Sequence, residues 1–316
     1  MAHDPDGARS GQSRSEGLSH AHANHLHPGP NNYGRVFIIA IGLNTAFVMV
    51  EFVYGFMANS TALMADAGHN LSDVLGLALA AGASILSRRA ANERYTYGLR
   101  SSSILAALAN AVLLLLACGA IAWESIHRFS QPPVVAGQTV IYVALIGVIV
   151  NGFSAWLFAK GSKNDMNIQG AYLHMAADAG VSAGVVIAGI LMVFTSWYWL
   201  DPAVSLLIVT VVIAATWELL RDSVRLALDA VPPHIEVAAI DAYLREQPGV
   251  IDIHDLHIWG LSTTESALTV HLVMPGGYPG DAFMENIRKI LNTRFSIHHS
   301  TIEIEQGTAN HVCSLE

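Results

Sequence analysis

Six long apolar stretches follow one another at about residues 34–57, 62–87, 102–126, 138–160, 168–195 and 198–220, separated by short polar segments. Each is near or above the ~20 residues an α-helix needs to cross the hydrocarbon core of a bilayer. The runs are long and do not alternate, which predicts helices rather than strands. Asn59-Ser60-Thr61 breaks the first pair, and Pro132-Pro133 with Gly137 marks the third break. Trp197, Tyr198 and Trp199 sit at the fifth, where an aromatic belt belongs.

The two ends read differently. Residues 1–32 are polar, rich in Gly, Ser, Pro, Asn and His, with no apolar run near the start. They read as a disordered cytoplasmic tail rather than a secretory signal. Beyond about residue 221 charged residues become frequent. Ile235 to Glu246 has helical periodicity, Val250 to Leu261 and Ser266 to Met274 alternate and are rich in β-formers, Asp281 to Phe295 is a second amphipathic helix, and Ser300 to Glu305 a third strand. The order α-β-β-α-β predicts an open α+β sandwich with its helices on one face. The expected organisation is a tail at 1–32, a six-helix transmembrane domain at 33–221 and a soluble domain with a short tail at 222–316.

Composition agrees with the hydropathy pattern. Charged residues make up 13% of the chain, against about 25% in ordinary soluble domains. The net charge of −9 excludes a basic nucleic-acid footprint. The two cysteines, Cys118 in an apolar run and Cys313 near the end, do not suggest a disulfide framework. Arg88, Arg89, Arg94 and Arg100 lie between the second and third stretches, Lys160 and Lys163 between the fourth and fifth, and Arg221 and Arg225 after the sixth. The opposite side carries only Arg128. The positive-inside rule then places both termini in the cytoplasm.

Candidate chemistry lies inside the apolar stretches. The second contains Asp66-Ala-Gly-His69-Asn-Leu-Ser-Asp73 and the fifth His174-Met-Ala-Ala-Asp178. Both carry His-x-x-x-Asp, a spacing that puts imidazole and carboxylate on one helical face, one turn apart. Ionisable groups at membrane depth cost a few kcal/mol each on insertion scales. If the two helices pack together, His69, Asp73, His174 and Asp178 converge as four N/O ligands, the set that a tetrahedral Zn²⁺ accepts. Two carboxylates neutralise a divalent ion, and protons relieve them when the ion leaves, a physical basis for antiport. The rival reading, in which each His and Asp bridges helices by hydrogen bonds, is weakened by the repetition. Asp66 either assists proton movement or faces the outer interface, the second being favoured. Asn44 reads as a helix bridge. Glu51 is set aside, with a water path as its one alternative.

Histidine is abundant outside these stretches. His3 and the tract His20, His22, His25 and His27 in the tail suit weak metal capture. In the soluble domain His254 and His271 fall on adjacent predicted strands, and His298 and Glu305 bracket the third. Together they suit a second metal site at one edge of a small sheet. His257 and Trp259 read as packing residues. His299 points away from His298 on a regular strand. His311 and Cys313 form only a weak His-x-Cys signal, and His127 and His234 receive no role.

Three stretches resemble the cation diffusion facilitator family, particularly its zinc-transporting branch. Ser60 to Asp73 is similar to the family's second-span signature, Gly170-Ala171-Tyr172-Leu173-His174 through Asp178 to its fifth-span signature, and His254-Asp255-Leu256-His257-Ile258-Trp259 to the start of its cytoplasmic domain. The resemblance covers about residues 33–306. It implies a homodimer of six-helix subunits, each with a ferredoxin-like cytoplasmic domain, exchanging cytoplasmic Zn²⁺ for external H⁺ by alternating access. It implies transport ligands at His69, Asp73, His174 and Asp178, with His69 at a position that goes with zinc. It implies a stabilising or regulatory metal at His254, His271, His298 and Glu305. Ser101 and Ser103 stand where many relatives carry Arg and Glu, and Leu99 where some carry a metal-binding His, so no metal is expected in that loop. The short segment Gly161 to Asn167 lacks the His-rich insertion of many eukaryotic relatives, which favours a bacterial plasma membrane.

The function expected is therefore a multi-pass Zn²⁺/H⁺ antiporter, with a broader Zn²⁺, Cd²⁺ and Co²⁺ exporter as the nearest alternative. A membrane metal sensor would not need ligands inside the bilayer. A zinc enzyme usually keeps an open coordination position and a nearby base, and no His-Glu-x-x-His occurs here.

Overall fold

The computed structural model describes residues 34–87, 89–159 and 166–307. The histidine tract of the tail, Arg88, Lys160, Lys163, His311 and Cys313 lie outside the described residues.

Six long helices come first: α1 (Gly34–Met57), α2 (Thr61–Ser87), α3 (Ser102–Ser130), α4 (Gly137–Ala159), α5 (Met166–Thr195) and α6 (Leu200–Ala227). Their starts match the hydropathy pattern within two residues. The third and sixth run on past the apolar stretch, α6 by seven residues through Arg221 and Arg225, because no glycine or proline stops it until Pro232. By length and composition, α3, α4, α5 and α6 are apolar enough to cross a membrane, and α1 contributes the apolar segment Ile41–Met57. α2 carries Asp66, His69, Asn70 and Asp73 within eight residues.

Small residues set the closest approaches. A Cβ on Gly189 of α5 would meet Ile141 Cγ1 of α4 at 2.8 Å, and one on Gly147 of α4 would meet Phe47 of α1 at 2.8 Å and Ser182 Oγ of α5 at 2.9 Å. Close backbone approach through glycine is a usual device where apolar side chains alone do not drive helices together in lipid. The α2 N-terminus is anchored differently. Ser60 Oγ accepts the Leu63 amide at 3.2 Å as an N-cap. The fully buried Asp201 carboxylate of α6 accepts from the Thr61 amide at 2.6 Å, Thr61 Oγ1 at 2.8 Å and the Ser60 hydroxyl. A carboxylate at a helix N-terminus also meets the positive end of the helix dipole.

The soluble domain follows as α7 (Val237–Arg245), β1 (Asp252–Gly260), β2 (Ser266–Val273), α8 (Asp281–Phe295) and β3 (Ile297–Glu305). This is the order expected from the sequence. β1 pairs antiparallel with β2, and β2 pairs parallel with β3. Ile240 and Leu244 of α7 and Ile287 and Leu291 of α8 share one core with Ile253, Leu268, Val270 and Leu272 of the sheet. β3 begins at Ile297, three residues before the alternation suggested, because Ile297 already pairs with Ser266 and is buried. β1 carries a bulge between His254 and His257, with Asp255 at φ +52°.

Among the described residues the two parts meet around the β1–β2 turn, where a Cβ on Gly260 would also meet Leu226 Cδ2 of α6 at 2.9 Å. Arg100 pairs with Glu265, the Thr263 amide donates to Ser103 Oγ at 3.1 Å, and Ser101 Oγ donates to the Leu261 carbonyl at 3.3 Å. Tyr97 meets the His299 ring edge-on with centroids 5.6 Å apart. The segment before α3 thus grips the β1–β2 turn through the Arg100–Glu265 pair and the hydroxyls of Ser101 and Ser103.

Candidate metal centres

α2 and α5 run antiparallel and face each other through three rungs. Asp66 accepts the Ser182 hydroxyl at 2.9 Å. His69 Nε2 lies 3.3 Å from Asp178 Oδ1. His174 Nε2 lies 3.1 Å from Asp73 Oδ2. The second and third rungs are also joined along each helix, His69 to Asp73 at 3.9 Å on α2 and His174 to Asp178 at 3.6 Å on α5. The imidazoles meet edge-on with centroids 6.0 Å apart. All four residues expected from the two His-x-x-x-Asp patterns therefore meet, and ligand atoms of His69, Asp73 and Asp178 lie within 4.8 Å of one another. The i, i+4 spacing aligns each pair along its own helix, and the antiparallel crossing interleaves them.

Burial is uneven across the cluster. Asp178 is buried, whereas the side chains of Asp73 and His174 are about a third exposed. The α5–α2 face is thus sealed on the Ser182 side and reachable on the His174 side.

Asp66 corrects the expectation that it faces the outer interface. It is fully buried and held by Ser182, and Glu51 of α1 is also fully buried and accepts from Asn70 Nδ2 at 3.4 Å. Asn44 does bridge helices, donating to Ser154 Oγ of α4 at 3.3 Å and lying 3.7 Å from the Met175 sulfur of α5. The hydropathy pattern did not single out Asn151 of α4, which is buried with both side-chain polar atoms unpaired.

A second cluster lies on the sheet face opposite the helices. His271 Nδ1 is 2.8 Å from Glu305 Oε1, His254 Nε2 is 3.2 Å from Glu305 Oε2, and the two rings are 5.1 Å apart. One ligand atom from each of the three lies within 4.8 Å of the others. Two imidazoles and a carboxylate at this spacing fit a zinc-type ion. Burial pushes the Glu305 carboxyl up, but hydrogen bonds from His271 and His254 outweigh it and hold the group below its ordinary range. Asp255 and Glu303 stand beside the cluster, 3.4 and 3.5 Å from His271 Nε2. Sequence reasoning missed both. The bulge turns Asp255 toward His271, and register with β2 puts Glu303 directly opposite that residue.

His298 does not join this group, contrary to the sequence-based expectation. It sits at the other end of β3, its Nδ1 accepting the Ser266 amide at 3.2 Å. Seven residues along a strand separate it from Glu305 by about 23 Å. Only that far end brings it near His234, whose imidazole is held below its ordinary value by burial and by the His298 charge. His257 is not a packing residue either. It is exposed and pairs with Asp255 at 2.8 Å.

Known proteins match along nearly the whole chain. Residues 37–226 match the cation efflux transmembrane domain and residues 232–307 the cation efflux protein cytoplasmic domain. The chain is 36% identical over 293 residues to the cadmium, cobalt and zinc/H(+)-K(+) antiporter of Bacillus velezensis, covering 91% of this chain and 93% of that one. It is 36% identical over 284 residues to the metal cation efflux system protein CzcD of Cupriavidus metallidurans, covering 90% of each. It is 35% identical over 289 residues to the zinc transporter ZitB of Escherichia coli, covering 91% of this chain and 92% of that one. With a helical transmembrane domain, a cytoplasmic domain built on a small sheet and matches of this extent, the chain belongs to the cation efflux family.

Proposed function

We propose that this protein exports Zn²⁺ from the cytoplasm in exchange for H⁺, through a four-ligand site made of His69, Asp73, His174 and Asp178. The observation that carries this reading is the interleaved rungs between α2 and α5, which gather two imidazoles and two carboxylates inside an apolar helical bundle. Such a set matches the tetrahedral N/O coordination of Zn²⁺ and also admits Cd²⁺ and Co²⁺. The names of the relatives from Bacillus and Escherichia support zinc as substrate, and the former supports a proton counter-ion. A loaded site is close to neutral, and an empty one takes up protons to become so.

In this reading all six long helices cross the bilayer of a bacterial plasma membrane, and α2 tolerates its polar residues because they face α5. Both termini are cytoplasmic. Arg89, Arg94, Arg100, Arg221 and Arg225 support that orientation, together with the grip of Arg100 on the soluble domain. The soluble domain is ferredoxin-like and joins two subunits into a homodimer. His254, His271 and Glu305 hold a resident Zn²⁺ there, which ties the edge strand β1 to β3 across β2. His298 is not among its ligands within one subunit.

Proteoliposomes with an acid interior test the reading. Zn²⁺ uptake by the wild-type protein, driven by the pH gradient and lost in Asp178→Ala, is the expected result. A folded wild-type protein that binds Zn²⁺ without moving it would instead support a membrane sensor.

A further inference from the structure

A fully buried amide stands beside the proposed transport site with no part yet assigned to it. Neither Oδ1 nor Nδ2 of Asn151, on α4, has a hydrogen bond among the described residues. Buried polar side chains are normally paired, and an exception inside a helical bundle calls for a function. Helix bridging does not supply one. Asn44 of α1 bridges, by donating to Ser154 of α4, whereas the Asn151 amide makes no such bond.

The register of α4 against α5 shows what Asn151 faces. A Cβ on Gly137 of α4 would meet Val193 Cγ2 of α5 at 2.8 Å, one on Gly189 would meet Ile141, and one on Gly147 would meet Ser182 Oγ. Farther along, Asn44 holds Ser154 of α4 and Met175 of α5 at one level. α4 therefore rises as α5 descends, in step over nearly the whole length of the pair. Asn151 lies four residues beyond Gly147 and three short of Ser154, and Asp178 lies four short of Ser182 and three beyond Met175. These spacings keep each residue on the face of its helix that makes the bracketing contacts. Asn151 and Asp178 are thus turned toward each other at one level. Asp178 presents Oδ1 to His69 at 3.3 Å. Its Oδ2 is buried, has no hydrogen bond among the described residues and lies 3.6 Å from His174 Nε2.

We propose that Asn151 is a positioning residue of the transport site, donating from Nδ2 to Asp178 Oδ2 while the metal is held, so that Oδ1 is presented to the ion. This rests on the four-ligand reading above. An imidazole that ligates through Nε2 turns that lone pair to the metal and no longer donates from the same atom. Metal binding therefore removes His174 as a donor to Oδ2 just as Oδ1 takes the ion. A carboxylate ligand keeps its orientation through a hydrogen bond to its remaining oxygen, and Asn151 carries an unpaired buried donor at that level. A neutral amide does this without disturbing the charge match between two carboxylates and a divalent ion, which Lys or Arg in its place would upset. Asn151 itself neither touches the ion nor takes up a proton.

Zinc uptake into proteoliposomes, followed against Zn²⁺ concentration, tests the assignment. Asn151→Leu keeps the volume and removes the donor. Its half-saturating Zn²⁺ concentration should rise about 10- to 100-fold with a maximal rate close to wild type. The melting temperature of the metal-free protein should not fall, because no unpaired amide is then buried. Asn151→Ser, which keeps a hydroxyl donor and leaves room for a bridging water, should recover part of the affinity. In the full chain carrying His271→Ala, which silences the soluble domain's site, Asn151→Leu should weaken Zn²⁺ binding when Asp178 is present and make no further difference in Asp178→Ala. Half-saturation equal to wild type in Asn151→Leu would overturn the proposal. So would losses that add across the two positions, or a lower metal-free melting temperature with no recovery in Asn151→Ser, which would mark the amide as packing alone. A wild-type protein that takes up no zinc would overturn the transport reading, and this proposal with it.

Discussion

At the scale of the residue, the proposed ligands between α2 and α5 and their neighbours make separable predictions. Asp73 holds His174 and bridges to His69, so in the proposed four-ligand site Asp73→Ala removes a ligand that has no spare. Even loss of a supporting residue costs a metal site 10- to 100-fold, and here uptake should fall by roughly 100-fold or more while the protein stays monodisperse in detergent. His69→Asp replaces an imidazole by a harder oxygen donor and should lower the ratio of Zn²⁺ to Cd²⁺ transported; an unchanged ratio would remove His69 from the selectivity set. In the soluble domain the geometry separates two histidines that the sequence grouped. His254→Ala should weaken zinc binding there, whereas His298→Ala, about 23 Å away along β3, should leave it unchanged by titration calorimetry on the full chain.

At the scale of the element, α2 is the part whose placement matters most, because it supplies half of the proposed ligands. Its start is tied to α6 by Asp201, a buried carboxylate that takes up the amide and hydroxyl donors of Ser60 and Thr61. Asp201→Ala strands several buried donors at once, each costing about 1–3 kcal/mol. The melting temperature in detergent should fall, and zinc uptake with it, whereas Asp201→Asn, which keeps an acceptor, should lose less of both. A mutant as stable as wild type would mean that Ser60 alone positions the helix. The small residues of α4 and α5 act by the opposite means, removing bulk where Gly147 meets Phe47 and Ser182. The helices were legible as elements because each apolar run is longer than any strand. Their mutual register was not, because it depends on pairs such as Gly189 and Ile141 that lie far apart in the chain.

At the scale of the molecule, the two domains touch through the segment before α3 and the β1–β2 turn. Arg100→Glu should slow transport without altering zinc binding to the soluble domain, and the exchange Arg100→Glu with Glu265→Arg should recover part of the rate. Additive losses in that cycle would show the pair to be uncoupled. Chelation provides a second measurement at this scale. An ion bound only to the folded state, present at 100 times its dissociation constant, stabilises it by about 2.7 kcal/mol. Removing zinc should therefore lower the unfolding temperature of the soluble domain within the full chain, and His271→Ala should abolish that difference.

The sequence by itself determined the six helices, the α-β-β-α-β order of the soluble domain and the four transport-site candidates. These depend on local hydropathy and on i, i+4 spacing, which a helix converts directly into a shared face. The family was legible for the same reason, since its signatures are short and continuous in the chain. Tertiary structure decided what depends on pairing between distant segments. It separated His298 from Glu305 by the length of a strand, brought Asp255 to His271 through a bulge that alternation cannot foresee, and buried Asp66 against Ser182 of α5. A residue's neighbours along its own helix are set by the chain, but its neighbours across the bundle are set by the register in which the helices pack.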